Sequence, residues 1–329
     1  VALCEACGQP AGGAAQLFTR LPRDRSGRAD LLTVFGMAPT STASSASVGT
    51  VASISEGDTS SILADYVECA GDLPQLASED RLAAEKHLLQ AQATEASWTA
   101  DLIAVNKIRS ALAHAADGPV EAPAAPTAEL ITAVAQRCGS RRPALAKSVL
   151  CALREMAGGA STPGGSPRDL EADAWPTAAE AALTGCLGAA RGTKVVARVA
   201  GIALQSVAER VAADASPAVA ISALVACINT EVRAATPQPP VVVAGLKVLT
   251  QLVPGLTGDD MKVAETASAL CEAVLQNRRL STAFSEARAT LKVVQAQQAT
   301  CQKEMEASTV CSSSDPSPMA ASELSFDPQ

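Results

Sequence analysis

Residues 94–115 read TEASWTADLIAVNKIRSALAHA, a polar run followed by a long aliphatic pattern that begins at Trp98. Within that pattern, apolar residues recur at i, i+3, i+4 and i+7, which is the spacing of one buried stripe on an α-helix. Similar phrases return later in the chain, as ALAKSVLCALREM at 144–156, KVVARVAGIALQSV at 194–207 and VVVAGLKVLTQLV at 241–253. A helix of one kind that recurs along a chain is typical of a repeat protein.

Each recurring helix follows another helical segment after a short turn. The predicted pairs are 79–92 with 98–115, 128–138 with 142–157, 174–190 with 193–211, 217–235 with 240–256, and 259–276 with 280–306. Their turns are spaced close to the repeat length of HEAT and armadillo units, which is about 40–47 residues. Neither helix of a pair can bury its apolar stripe alone, so we expect the pairs to stack. The sequence therefore predicts an α-solenoid of about five HEAT-like pairs.

The composition supports an all-α fold. Hydrophobic residues make up 48% of the chain but aromatic residues only 2%, so the apolar volume is almost entirely Ala, Val and Leu. Alanine is the strongest helix former, and leucine fills the space between closely packed helices. Alternating strand patterns bounded by turn signals are missing over nearly the whole length.

Three regions differ in composition. Residues 1–78 read as a low-complexity, weakly ordered arm, residues 79–306 as the HEAT-repeat domain, and residues 307–329 as a disordered tail. The Ser, Thr, Gly and Pro content of 38–60 and 312–329 predicts no stable secondary structure there. The net charge of −8 belongs to the two ends, whereas the helical middle is neutral. A neutral body without a broad basic stripe argues against nucleic-acid binding.

Catalytic and metal-binding signatures are missing from the sequence. Cys4 and Cys7 form a CxxC pair, but no second pair or neighbouring histidine completes a zinc site. His87 and His114 accompany no nucleophile pattern, and we expect packing or capping roles for them. No nucleotide-binding or hydrolase motif occurs, so we expect no enzymatic activity and no cofactor. The remaining cysteines lie mostly inside helical patterns, as small buried apolar residues of a cytoplasmic protein do, and no apolar run is long enough to span a membrane.

The order and positions of these phrases resemble the TOG domain, most closely its CLASP-type branch. The resemblance covers roughly residues 79–300 and rests on SWTADLIAVNKIRSAL, GSRRPALAKSVLCALREMA, GTKVVARVAGIALQSVAERV and NRRLSTAFSEARATLKVVQAQ. TOG domains bind tubulin through turns that line up along one edge. The resemblance therefore implies a tubulin- or microtubule-binding module of the cytoskeleton, in the cytoplasm or in the axoneme of a cilium or flagellum. Carried over by position, the residues implied to contact tubulin are Trp98, Arg142, Lys147, Lys194 and Arg279, with Arg141 adjacent to them.

Elementary chemistry makes such an edge plausible, but a second interpretation stays open. Tubulin has an acidic surface, which arginine and lysine side chains on one line would meet, and a tryptophan would supply a desolvated anchor. Trp98 could equally be a hydrophobic lid over the first repeat, whereas Trp175, just before a proline, is expected to pack at a helix entry. The alternative function is an α-solenoid scaffold that packs within a large assembly without contacting tubulin.

Overall fold

The computed structural model describes residues 61–114, 126–158 and 174–312, with only the backbone for residues 305–312. All of them belong to one compact unit, Ile54–Gln329. These residues form α-helices and short 3₁₀ turns and contain no β-strand, which confirms the prediction of an all-α fold. Numbered along the chain from Ser78, the helices are α1 (Ser78–Gln90), α2 (Trp98–Ala113), α3 (Ala128–Ala135), α4 (Pro143–Gly158), α5 (Ala174–Ala189), α6 (Lys194–Asp214), α7 (Pro217–Val232), α8 (Pro239–Leu252), α9 (Met261–Gln276) and α10 (Phe284–Ser312).

The helices pack as a two-layer solenoid. Consecutive helices pair in the predicted order, from α1 with α2 to α9 with α10. The first helices of the pairs then stack on one another in one layer, and the second helices stack in the other. This arrangement confirms the predicted α-solenoid. How many repeats the chain contains stays a prediction.

Side-chain caps fix where several helices begin. The hydroxyl groups of Thr127, Thr193 and Ser216 accept hydrogen bonds from backbone N–H groups in the first turns of α3, α6 and α7. Pro217 and Pro239 lie in the first turns of α7 and α8, where a missing N–H has no cost and the fixed φ suits the helix. Local sequence therefore sets these boundaries before any packing is considered.

The core is aliphatic and closely packed. Buried Leu, Val, Ile and Ala side chains from all ten helices form one continuous cluster. Gly185 of α5 allows α3 to approach so closely that a Cβ atom there would lie 2.7 Å from the carbonyl oxygen of Ala135. Trp175, in the first turn of α5, is completely buried, as its position before a proline predicted. Cysteines are part of this core, since Cys138, Cys186 and Cys271 are buried free thiols.

A segment that precedes α1 packs on the solenoid. We call residues 61–77 the strap. It has three helical residues at 61–63 and a 3₁₀ turn at Ala70–Asp72, and its Leu63 and Leu73 are buried in a small cluster of their own. The sequence placed this segment in the weakly ordered arm because the first 79 residues as a whole are rich in Gly, Ser, Thr and Ala.

The other expectations for the ends fall mostly on residues that the structure does not describe. Cys4, Cys7, residues 38–60 and residues 313–329 lie outside the described ranges. Helix α10 reaches Ser312, so it continues for several residues into the region that the composition assigned to the tail.

Candidate partner-binding edge

The connections inside the helix pairs form one edge of the solenoid, since each occupies the same position in its pair. We call this the turn edge. In chain order, its five turns are residues 91–97, 139–142, 190–193, 233–238 and 277–283, each with the first residue of the helix that follows. This definition places Trp98 at the first turn and Lys194 at the third.

The side chain of Trp98 extends from the first turn towards the second. It is half-buried and packs against the main core. The guanidinium carbon of Arg142 lies 5.4 Å from the centroid of the indole ring, which is a cation–π distance. Glu95 holds this arrangement from the first turn, because its carboxylate accepts a 2.9 Å hydrogen bond from the backbone N–H of Arg141 and lies 3.9 Å from Nε of Arg142. Trp98 is therefore both part of the packing and part of the edge.

A buried carboxylate joins the same two turns from beneath. Asp101 is 1% exposed, and its Oδ1 lies 2.9 Å from Nε2 of His87 and 3.1 Å from Nε of Arg137. The Nε–H of Arg137 is not directed at this oxygen, so the contact is an ion pair rather than a hydrogen bond. Arg137 also donates to the carbonyl oxygens of Ala91 and Ala133. The first two turns are thus held together by a charged pair that is closed to solvent.

Ionic and polar contacts also join the third, fourth and fifth turns. Arg191 forms an ion pair with Glu231, which is 5% exposed and which accepts a 2.7 Å hydrogen bond from the backbone N–H of Gln238. Arg279 donates to the carbonyl oxygen of Ala235. Asn277 reaches the end of α7 with a 3.2 Å hydrogen bond to the carbonyl oxygen of Val232. Each of these turns is therefore fixed to the next.

The second and third turns are separated by a cleft of about 400 Å³. Arg141, Arg191 and Thr193 line it together with several small residues, and no hydrogen bond crosses between these two turns in the described part of the chain. Beneath it, Cys138 and Cys186 are buried, and the hydrogen bond from Cys186 and the burial raise the pKa of the Cys138 thiol well above its usual value. The cleft mouth is basic, because Arg141 and Arg191 both line it.

The predicted contact residues do not all share this edge. Arg141, Arg142, Lys194 and Arg279 are exposed and lie on it. No ion pair involves Arg141 or Lys194 within the described ranges. Lys147 is elsewhere, in the second turn of α4, where its ammonium nitrogen lies 3.5 Å from the ring centroid of Tyr66 in the strap. Lys147 is therefore half-buried beneath the strap rather than presented at the turns.

Sequence reasoning missed three charged residues at the turn edge, one arginine and two carboxylates. Glu95, Arg191 and Glu231 were not singled out, although Arg191 stands in the RGTK turn. The repeat pattern shows which residues lie at turns, but it cannot show which carboxylate of one repeat meets which arginine of another. Taken together, the cationic residues of the edge are Arg141, Arg142, Arg191, Lys194, Arg233, Arg278 and Arg279, and its carboxylates are Glu95 and Glu231.

The described residues also bear on metal binding and on membrane insertion. No group of three or more His, Cys, Asp or Glu side chains there could hold a metal ion. Within the same residues, no helix has both the length and the apolar character needed to cross a membrane. Neither a protein-family model, nor a curated protein, nor a solved structure matches the chain.

Proposed function

We propose that the solenoid is a non-enzymatic module that binds tubulin, as free dimers or in the microtubule lattice, through its turn edge. The observation that carries the proposal is the accumulation of arginine and lysine at successive turns of a chain whose net charge is −8. Such a charge distribution suits an acidic partner surface and raises the rate of encounter with it. The resemblance of the turn phrases to the TOG domain makes tubulin the candidate partner, and a tubulin-binding module would act on the cytoskeleton, in the cytoplasm or an axoneme.

The edge offers two kinds of contact. Trp98 supplies apolar area that is already held in place by the core, so little side-chain freedom is lost when a partner covers it. Arg141 and Lys194 supply charge, because neither is neutralised by a neighbouring carboxylate in the described structure. The cleft between the second and third turns could admit an acidic side chain of the partner between Arg141 and Arg191. A desolvated centre with charged surroundings is the usual anatomy of a protein interface.

A scaffold role is the second candidate, and a separate observation favours it. The outer side of α6 exposes Val195 and Ile202, which are 61% and 45% accessible to solvent. Exposed aliphatic residues seven positions apart lie on the same side of a helix, and Ile202 lies about two helical turns beyond the third turn. In this alternative, the solenoid packs into an assembly through its helical faces, and the edge interactions around Glu95 serve stability alone.

The two candidate functions predict different effects of Trp98→Ala on microtubule binding. Trp98→Ala should weaken microtubule binding by more than about 2 kcal/mol, roughly thirtyfold, as truncation of an interface anchor does. Ile202→Ala, an apolar truncation away from the turns, should leave binding unchanged. Cosedimentation of the full chain with microtubules, alongside thermal unfolding of each variant, makes the comparison. Intact binding by Trp98→Ala together with a melting temperature lower by many degrees would make Trp98 a core lid and would exclude the proposed edge.

A further inference from the structure

The strap is held in an unusual way, because side chains of α2 bind its main chain. Both amide hydrogens of Asn106 are donated to strap carbonyl groups, at 2.9 and 2.8 Å, and the guanidinium group of Arg109 donates to two more. Ser110 and His114 extend the row, with contacts of 2.6 and 2.9 Å to carbonyl oxygens. The accepting carbonyl groups belong to Leu63, Asp65, Val67, Glu68, Leu73 and Pro74.

These donors form one row on α2. Residues three, four and eight positions apart lie on the same side of a helix, so Asn106, Arg109, Ser110 and His114 follow one another along the strap. Arg109 is fully buried and is held in position by Glu155 of α4, whose carboxylate oxygens lie 2.9 and 2.8 Å from Nε and Nη2. Carbonyl oxygens are common to every residue, so this row can bind irregular or extended chain whatever its side chains.

Selectivity comes from three strap side chains. Leu63 and Leu73 pack in a cluster that is separate from the main core. The ring of Tyr66, which lies between the two leucines in sequence, packs on the ammonium group of Lys147. The hydroxyl oxygen of Tyr66 is 4.0 Å from Sγ of Cys151 in α4. The main core of the solenoid is therefore continuous without the strap, which occupies the outer side of α2 and α4 as a peptide occupies a receptor.

One polar atom of the row is not used. Oδ1 of Asn106 is buried without a hydrogen-bond partner, although a buried acceptor normally has one. The strap therefore leaves one acceptor of the row unsatisfied. A chain that placed an N–H or hydroxyl group near this atom would complete the row.

We propose that this side of α2 and α4 is a binding site for an irregular peptide segment from another protein, and that the strap occupies it in cis. The ligand has an aliphatic residue, an aromatic residue three positions later and a second aliphatic residue seven positions after that, as Leu63, Tyr66 and Leu73 do. Binding is through main-chain carbonyl groups and these three side chains. The site is on the helical face and does not depend on the turn edge or on tubulin.

The last residues of the strap join it directly to α1, and this junction determines how the site can be tested. Residues 74–77 contain no helix or strand, and so short a tether keeps the strap at a high effective concentration beside α2. A peptide added to the intact chain would compete poorly for this reason. Cutting the tether in the folded protein removes the advantage while leaving the rest of the chain as it is.

The experiment uses the full chain with a protease recognition sequence inserted between Gln75 and Leu76, cleaved after folding. A fluorescent peptide of residues 61–77 is the probe, and fluorescence anisotropy measures its binding. We expect saturable binding to the cut chain and at least about tenfold weaker binding to the uncut chain. Asn106→Ala in the cut chain should weaken binding about tenfold or more, since two hydrogen bonds are lost. Asn229→Ala, the same change on α7, is the matched control and should have no effect.

Amide hydrogen exchange of the unmodified chain provides a second measurement that does not depend on the insertion. If the strap is a cis ligand, its amides should exchange through a local opening, faster than those in the centres of α2 and α4. The proposal is overturned if strap, α2 and α4 amides exchange together by global unfolding. It is also overturned if the cut chain keeps its helical circular dichroism and binds no peptide, or loses that signal on cleavage.

Discussion

The contact between the first and second turns depends on the carboxylate of Asp101. It lies between His87 and Arg137, and both Asp101 and Arg137 are almost completely buried. A buried ion pair contributes little net stability when intact, because desolvation offsets the attraction, but its loss leaves the remaining charge without compensation. The pair thus holds the geometry of the edge more than it adds to the free energy of folding.

Removal of this carboxylate should be costly. Asp101→Ala leaves the guanidinium group of Arg137 buried and unpaired, which typically destabilises a protein by about 3–5 kcal/mol. Glu95→Ala removes a carboxylate from the same contact, but its ion pair with Arg142 is exposed and should contribute less than about 1 kcal/mol. Urea unfolding followed by circular dichroism measures both changes. Equal losses in the two variants would contradict the assigned role of the buried pair.

The strap can be followed through Tyr66, the only tyrosine of the chain. Burial, with a smaller contribution from Cys151, raises the pKa of its phenol to about 12. The folded state therefore holds the phenolic proton more tightly than the unfolded state, whose tyrosine pKa is about 10. Stability from this group is fully present below the unfolded pKa and is lost as pH rises between the two values.

Absorbance of the phenolate in the near ultraviolet should consequently titrate near 12 in the native chain. The same signal should titrate near 10 in the chain unfolded by urea, because an exposed tyrosine has that pKa. Since no other tyrosine contributes, the signal reports the strap alone. A native titration near 10 would show that Tyr66 is exposed and that the strap is not packed on α4.

At the scale of helices, the repeat sequence predicted most of what the structure shows. The aliphatic stripes located the helices within a few residues, because only an amphipathic helix of that period buries such a stripe. The strap was not predicted, because the Gly, Ser, Thr and Ala content of the whole arm decided its assignment and because bonds to main-chain carbonyl groups leave no mark in a sequence. For the edge, position in the repeat predicted the exposed Arg141 and Lys194. It could not predict Glu95, which belongs to another repeat.

Close packing of the first-layer helices gives a test at this scale. Gly185→Ala should destabilise the protein by about 1–3 kcal/mol, because the added methyl group would force α5 away from the backbone of α3. Gly201→Ala in α6 is the matched control, since nothing lies within 4 Å of its Cβ position. That change should stabilise the protein by about 0.5–1 kcal/mol through helix propensity. Thermal unfolding measures both, and stabilisation by Gly185→Ala would mean that α3 and α5 are farther apart than described.

For the whole molecule, charge is divided between the two layers as well as gathered at the turns. The first-layer helices α3, α5 and α9 expose Glu129, Glu180, Glu265 and Glu272 against one cation, Lys262, whereas the second-layer helices α6, α8 and α10 expose Arg198, Lys247, Arg288 and Lys303 against Glu209 and Glu304. The turn edge continues the basic side of this division. An acidic partner is therefore directed mainly to the turns, where cations outnumber carboxylates.

The measurement that tests the central claim most directly is microtubule cosedimentation of the full chain with a charge reversal on the edge. Arg141→Glu combined with Lys194→Glu reverses two exposed cations that have no ion-pair partner in the described structure. Lys86→Glu combined with Lys262→Glu makes the same change in net charge at exposed positions on first-layer helices, off the edge. We predict that the edge variant loses about tenfold or more in affinity at low ionic strength, that added salt reduces the difference, and that the control variant binds nearly as the unmodified chain does. Equal binding by the two variants, or failure of the unmodified chain to sediment with microtubules, would contradict the account.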